Sequence, residues 1–390
     1  MKSVYITQAL RTPIGKFNGA LSSLSSVDLA ETVVSAISTS SALSQVDDVI
    51  MGNVLQAGQG QNIGRQIARR CFGDEVPGVT VNKVCGSGLQ AIIYGAQSIA
   101  LGDANTVIAG GTESMSNSPY LVPKARQGFK MGHQTLVDSM IQDGLWDCFN
   151  DYHMGITAEN IGRKLNVSRD EQDAFAAESH RRALEAKSSR AFELEIVPVS
   201  IPQRKGDPIQ VSQDEGPRAE STQESLSGLR PVFEKDGTVT AGNASSINDG
   251  AAAVLLQSEE SVAETGTTPF GKIVSYATAG IDPAVMGLGP VQAIEKALQK
   301  AGWSRNDVEL VELNEAFAVQ SLGVLKELPF DPSIVNVNGG AIALGHPIGA
   351  SGTRILVTLV HELKRRCLKK GLVSLCIGGG MGIALCVEAV

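Results

Sequence analysis

Aromatic residues are scarce in this chain, only 4% of 390, and its 33 lysines and arginines are outnumbered by 41 aspartates and glutamates. A net charge of −8 without a basic stripe lacks the phosphate-neutralising charge and stacking rings that nucleic acid binding uses, so nucleic acid is excluded as a partner. No apolar run reaches the roughly 20 residues that a membrane helix needs, and no membrane association is expected. The first residues enter a strand-like pattern ("SVYIT") without an apolar leader, and the last four, "VEAV", are not a peroxisomal address. The six cysteines are Cys71, Cys85, Cys148, Cys367, Cys376 and Cys386, and no two form a CxxC pair. Neither a zinc site nor a thioredoxin-like site is therefore expected, and six reduced thiols in a cytoplasmic protein are.

What the chain does have is glycine, 42 residues often in clusters, and a 43% hydrophobic content that is ample for a large core. Glycine clusters suggest tight strand-to-helix turns and backbone lying close to ligands. The order of elements repeats. "SVYIT", a loop, the helical "VDLAETVVSAI" and "VDDVIMGNV", ending near Asn53, match "KIVSYAT", a loop, "GPVQAIEKALQKAG" and "DVELVELNEAF", which contains Asn314. "TVNKVCGSG" and its helix match "IVNVNGGAIALGHPIGASG" and its helix, and "TVIAGGTES" matches "LVSLCIGGGMG", with equivalent points roughly 255 to 270 residues apart. Strands alternating with helices predict an α/β fold with mixed sheets covered on both faces. "VSLCI" and "GIALCVEAV" read as a hairpin about Gly378 to Gly382. The first copy has no immediate return strand; "DGAAAVLLQS" supplies it some 140 residues later by the same repeat logic. The expected organisation is thus residues 1–115 with 245–268 as one half, 269–390 as the other, and 116–244 as an inserted lid.

Cys85 is expected where a strand gives way to a helix, followed by Gly86, Ser87 and Gly88. A helix N-terminus lowers a thiol's pKa, so Cys85 is a candidate nucleophile; taken alone it could equally be a structural thiol in a glycine turn. His346 stands in a loop longer than its counterpart in the first copy, between Gly345 and Gly349 and before Pro347. Cys376 ends the strand before Gly378, Gly379 and Gly380, and Asn314, Glu315 and Phe317 come from "NEAF" at another strand end. The bland alternatives are an exposed histidine, a core cysteine and a turn-capping asparagine. Together, two thiols, an imidazole, an amide and two glycine turns converge on one rim. Two thiols at one carbon imply different roles, one attacking a carbonyl and the other moving a proton, while glycine amides hold the oxyanion.

The motifs "VNKVCGSGLQA", "AGGTESMSNSPY", "GLWDCFNDYHMGITAEN", "DGTVTAGNASSINDGAAAV", "ELNEAFA", "NVNGGAIALGHPIGASG" and "CIGGGMGIA" occur in order over nearly the whole chain. In this the sequence resembles the thiolases, and most closely those that act as acetyl-CoA C-acetyltransferases. The resemblance implies a duplicated αβαβα fold with two mixed sheets. It implies that Cys85 is acetylated, that His346 takes its proton and helps bind the thioester oxygen, and that Cys376 is the acid/base at the methyl of a second acetyl-CoA. One oxyanion hole would be His346 with a water on Asn314, and the other the amides of Cys85 and Gly378. The implied reaction is a ping-pong condensation of two acetyl-CoA to acetoacetyl-CoA and CoA, with no cofactor, because coenzyme A is substrate and product. Arg218, Ser225, Ala241 and Ser245 match contacts to CoA, and His153 and Met154 match residues near the acyl end. Residues 119–132 resemble a loop by which such enzymes form tetramers, as dimers of dimers. Ser246 departs from the family, which often has glycine there, and neither Trp146 nor Cys148 is required by it. A close approach of Cys85 and Cys376 would permit a disulfide.

Three other readings remain at this stage. A degradative 3-ketoacyl-CoA thiolase of broader chain length would use the same chemistry, with "YHMG" arguing for small substrates. A non-catalytic thiolase-like acyl-binding protein would lack one of the reactive residues, and all four are present. A Cys-His-Asn protease would leave Cys376 without a role.

Overall fold

The computed structural model describes residues 2–41, 43 and 45–390. Its centre is a ten-stranded mixed sheet. In chain order its main strands are β1 (Val4–Arg11), β2 (Asp48–Gly52), β3 (Gly78–Val81), β4 (Thr106–Ser114), β5 (Asn248–Ser258), β6 (Gly271–Gly280), β7 (Leu310–Leu313), β8 (Lys370–Ile377) and β9 (Met381–Ala389), and the two-residue strand Gly15–Lys16 pairs with β5. The spatial order is β7-β8-β9-β6-β1-β5-β4-β2-β3. The two mixed sheets expected from the doubled sequence are the two halves of this order. They are continuous because β1 and β6 pair through Tyr5 with Lys272 and Ile6 with Gly271.

The repeat is visible strand for strand. β4 and β5 pair antiparallel from Thr106 opposite Gln257 to Ser114 opposite Asp249, although the chain between them is long. Their counterparts β8 and β9 form a direct hairpin, whose turn uses Gly379 and Gly380 at φ 85° and 82°, a left-handed conformation that glycine tolerates without strain. β2 lies parallel to β3, and in the second half only Val335 bridges Val311 at the equivalent place.

Two helices, α3 (Ser87–Leu101) and α8 (Ser351–Arg366), lie between the sheet halves and pack on each other. Ile92 and Ile93 of α3 and Leu356 and Val360 of α8 meet Val107, Leu256, Leu375 and Leu385 in one cluster; α3 is apolar on most sides, while α8 is largely buried although it carries Arg354, Thr358 and Glu362. The 18 residues from Val84 to Leu101 have the length and composition of a short membrane span, longer than the apolar runs the sequence reading allowed, but here most of them are the buried helix α3 and its entry turn. On the outer face of the first half, α1 (Ser26–Ser41) and α2 (Ile63–Phe72) set Val33, Ile37 and Ile67 against Val49, Met51 and Leu255. On that of the second, α6 (Gly289–Ala301) and α7 (Ala318–Glu327) set Ile294, Leu298 and Val324 against Val311, Leu313 and Leu372. Five layers result, with alternate residues of β7 pointing inward and outward.

Residues 115–247 leave the sheet at the end of β4 and return at the start of β5. They hold α4 (Met154–Leu165) and α5 (Arg169–Ser188), the latter begun by a capping box between Ser168 and Glu171. This excursion is tied to the sheet by Arg11, whose side chain is fully buried. Its Nε donates to Glu195 Oε1 at 2.6 Å, and Nη1 and Nη2 donate to the two oxygens of Asp214 at 2.7 and 2.9 Å. Burial works against the guanidinium's charge, but Asp214 and Glu195 outweigh it and hold the group charged. Arg11→Met would leave two buried carboxylates without their cation, at a cost of about 3–5 kcal/mol. Urea unfolding would measure it, and a loss under about 1 kcal/mol would remove this residue as the tie.

Candidate active site

A cavity of about 890 Å³ opens between the inserted segment and the strand ends. Cys85, His346, Gly378, Arg218, Ser225, Ala241, Ser245, His153 and Met154 all line it. A smaller cavity of about 370 Å³ beside Lys187, Phe192 and Asp214 holds none of the candidate residues.

Cys85 does not sit on the helix itself. β3 ends at Val81, Val84 takes a left-handed φ of 47°, and α3 begins at Ser87 after the cap residue Gly86. The thiol thereby faces the cavity floor, half-buried. Burial pushes its pKa up to about 11, although the amides of Gly378 and of Cys85 itself favour the thiolate. The lowered pKa expected from the helix terminus is therefore not realised in the free site, since loss of water outweighs the amide dipoles.

The partner of the thiol is His346. Its Nε2 lies 3.3 Å from Cys85 Sγ, and its Nδ1 lies 2.6 Å from Ser351 Oγ. The Ser351 hydroxyl donates its single proton to the Pro347 carbonyl at 2.9 Å, so toward the imidazole it can only accept. Nδ1 then carries the hydrogen and Nε2 presents a lone pair to the thiol. Burial first, and the Arg354 charge second, bring the His346 pKa down to about 3. The resting pair is a neutral thiol against a neutral base, and a proton moves only when the sulfur attacks.

Cys376 and Asn314 lie behind this floor rather than on it. Cys376 is fully buried among Met154, Met286 and Phe317. Burial and the adjacent Cys85 push its thiol far above the ordinary range. Asn314 is equally buried, and its Oδ1 and Nδ2 have no partner among the described residues. An amide in that condition suits a bridging water. Glu315 takes no part: its carboxylate accepts from Ser179, Asn336 and the Ile342 amide and so ties α5 to the second half.

The remaining candidates line the walls. His153 accepts the Gly155 amide at Nδ1 over 3.0 Å and stacks on Phe233 with centroids 4.6 Å apart, which leaves its Nε2–H free to donate. Burial holds it neutral. Met154 closes the inner end, its sulfur 3.6 Å from where a Cβ on Gly378 would lie. Arg218 is exposed at the mouth, with its backbone N–H on His180 Nδ1. Ser225 belongs to the capping box with Thr222: its hydroxyl oxygen accepts the Thr222 N–H at 3.0 Å and its one proton goes to the Glu220 carbonyl at 2.6 Å, so it has at most one lone pair left to offer. Sequence reasoning missed Ser351, Asn248, Glu113 and Phe233. Only Ser351 carried a signal, as a hydroxyl five residues after the histidine and at the start of a helix.

Comparison with known proteins places this geometry. The model of the thiolase N-terminal domain matches residues 4–260, and that of the thiolase C-terminal domain matches residues 267–389. An acetyl-CoA acetyltransferase of Pseudomonas aeruginosa is 56% identical over 388 residues, covering 99% of each chain. The crystal structure of the Bacillus anthracis acetyl-CoA acetyltransferase superposes with a TM-score of 0.98 at 46% identity, covering 100% of this chain and 99% of that one. That of human mitochondrial 3-ketoacyl-CoA thiolase in complex with CoA gives 0.96 at 44%, covering 100% and 98%. With both domain models matched end to end over a sheet that repeats itself, the chain belongs to the thiolase family.

Proposed function

We propose that this chain condenses two molecules of acetyl-CoA into acetoacetyl-CoA and CoA, and runs the reverse thiolysis, as an acetyl-CoA C-acetyltransferase. The observation that carries the reading is the approach of Cys85 Sγ to the bare Nε2 of His346 at 3.3 Å, with the second thiol, Cys376, buried directly behind.

In the first half-reaction Cys85 attacks the thioester carbonyl while its proton passes to His346 Nε2. The carbon–sulfur bond to CoA breaks, and the departing CoA thiolate takes the proton of Cys376. In the second, the Cys376 thiolate removes a methyl proton from another acetyl-CoA bound in the same cavity. The enolate oxygen faces the Nε2–H of His346 and a water on Asn314. Its carbon attacks acetyl-Cys85, and the tetrahedral oxyanion is received by the Cys85 and Gly378 amides. Collapse returns the pair of electrons to Cys85, which recovers its proton from His346.

The CoA portion lies along Arg218, Ser225, Ala241 and Ser245, with His153 Nε2–H and Met154 at the acyl end. No metal or other cofactor enters this scheme. Six free cysteines support a cytoplasmic, reducing location. Tyr120, Val122, Phe129, Met131 and Leu136 turn apolar side chains to solvent on one loop, which supports its burial against further copies of the chain in a homotetramer.

Met154 and Phe317 close the acyl end of the cavity and favour a short acyl group over a broad chain-length range. Thiolysis of acetoacetyl-CoA is expected to exceed that of a long-chain 3-ketoacyl-CoA at least about tenfold in kcat/KM. Equal values would instead support the degradative reading, and no acetoacetyl-CoA turnover in either direction would overturn the function.

A further inference from the structure

We propose that Glu113 and Asn248 are positioning residues that hold His346 in register with Cys85 from either side of its loop. The inference rests on the reading of His346 as the base, and it concerns two side chains that touch neither thiol.

His346, Pro347 and Ile348 run between two glycines, and each glycine is pressed onto one of the two residues. A Cβ on Gly345 would come within 2.5 Å of the Asn248 amide, and one on Gly349 within 2.7 Å of Glu113 Oε2. The loop therefore lies as close to both side chains as a backbone can. Asn248 Oδ1 accepts the His346 N–H at 2.9 Å and the Ser246 hydroxyl at 2.9 Å, while its Nδ2 donates to the Gly15 carbonyl at 2.9 Å. At the other end, Glu113 Oε2 accepts the Gly349 N–H at 2.9 Å and the Val54 N–H at 3.1 Å. Its Oε1 accepts the Leu55 N–H at 3.1 Å and Asn53 Nδ2 at 3.0 Å. Both side chains are fully buried and come from the adjacent strand ends of β4 and β5.

The choice of a carboxylate at position 113 follows from that donor set. Four neutral N–H groups from two loops converge on it with no cation among them. Only an acceptor on every face satisfies all four. A glutamine would turn an NH₂ toward two of the donors, and the Gly349 end of the loop or the Val54 turn would have to give way. Imidazole and thiol are set at 3.3 Å by a loop anchored one residue at a time, so a small release carries the base out of reach.

The test uses Glu113→Gln and Asn248→Ala in the full-length protein, assayed in two ways. In acetoacetyl-CoA thiolysis, kcat is expected to fall about 10- to 100-fold while KM for acetoacetyl-CoA stays within about twofold, because neither Glu113 nor Asn248 lines the cavity. In alkylation of Cys85 by iodoacetamide near neutral pH, which needs no CoA substrate, the rate is expected to fall with the lost base. An unchanged or faster alkylation would overturn the proposal; a faster one would show that Glu113 acts only through its negative charge on the thiol. An equal loss spread over kcat and KM would also overturn it, as general loosening of the fold. Should Glu113→Gln fail to fold, Asn248→Ala, which removes one bond to the histidine rather than four donors' acceptor, decides the matter alone. Wild-type protein that alkylates readily at Cys85 but turns over no acetoacetyl-CoA would sink the proposed function and leave the alkylation test of the clamp standing.

Discussion

Cys85→Ala is expected to lower acetoacetyl-CoA formation by on the order of 10⁴-fold or more, with no acetyl group found on the protein. Wild-type protein exposed briefly to acetyl-CoA should gain one acetyl group by intact mass, mapping to Cys85. The size of the effect comes from what the residue supplies: a nucleophile on the cavity floor with a base at 3.3 Å. Cys376 has no hydrogen-bonded base among the described residues, and burial and Cys85 hold its thiol far above the ordinary range, so it does not take over the attack. The same geometry fixes the pH response. Burial lowers His346 to about 3 and raises Cys85 to about 11. Below the first value the imidazolium cannot accept a proton, and above the second the thiolate needs no base. Between about pH 5 and 9 neither of these groups changes its protonation, so the pair itself gives a flat acetylation rate there, and the titration left in that range is that of Glu113, which burial raises to about 7 and whose carboxylate anchors the His346 loop. A rate that kept rising tenfold per pH unit from about 7 to 9, above the Glu113 range, would contradict a neutral resting pair, and stoichiometric acetylation of the Cys85→Ala protein would remove Cys85 as the nucleophile.

The sequence made much of this site legible because chemistry and glycine leave marks in one dimension. Cys85, His346 and Cys376 stand beside glycines that the turns require, and the repeat placed all three at equivalent strand ends. The pairing of β4 with β5 across the long excursion was readable for the same reason, since the second copy shows its equivalent as a plain hairpin. The thiol's electrostatics were not. A helix terminus can be read from "CGSG", but how much water burial removes depends on residues as distant as Ile377 and Ile383, which pack on Gly86. Glu113 and Asn248 were illegible too. An acid in a strand and an asparagine before one look like ordinary sheet residues until the fold brings the His346 loop against them. The apolar stretch from Val84 to Leu101 shows the same limit, because a helix enclosed by two sheet halves has the composition of one enclosed by lipid, and only the fold tells them apart.

Cys376→Ser separates the two half-reactions. Acetylation of Cys85 is expected to reach nearly the wild-type extent, because the Cys85 sulfur and the His346 imidazole are untouched and the CoA thiolate can leave unprotonated and take its proton from water. Condensation is expected to fall about 10²- to 10⁴-fold, the range for losing a positioned acid/base. The site explains why serine cannot substitute although it is smaller. Burial and the neighbouring Cys85 already push the Cys376 thiol far above its usual range, so its anion exists only when a departing CoA thiolate takes its proton. That exchange is uphill for the raised Cys376 thiol, and it is far more so for a hydroxyl in the same apolar cluster of Met154, Met286 and Phe317, which would hold its proton against any thiolate. Acetyl-enzyme should therefore accumulate in the variant, and exchange of the acetyl-CoA methyl hydrogens with D₂O should be lost in parallel with condensation. If the variant condensed at the wild-type rate, the base would have to be another group, and among the described residues the candidate at the acyl end is His153. If it lost acetylation as well, the CoA thiolate could not leave without the proton of Cys376, and the first half-reaction would depend on the buried thiol as strictly as the second.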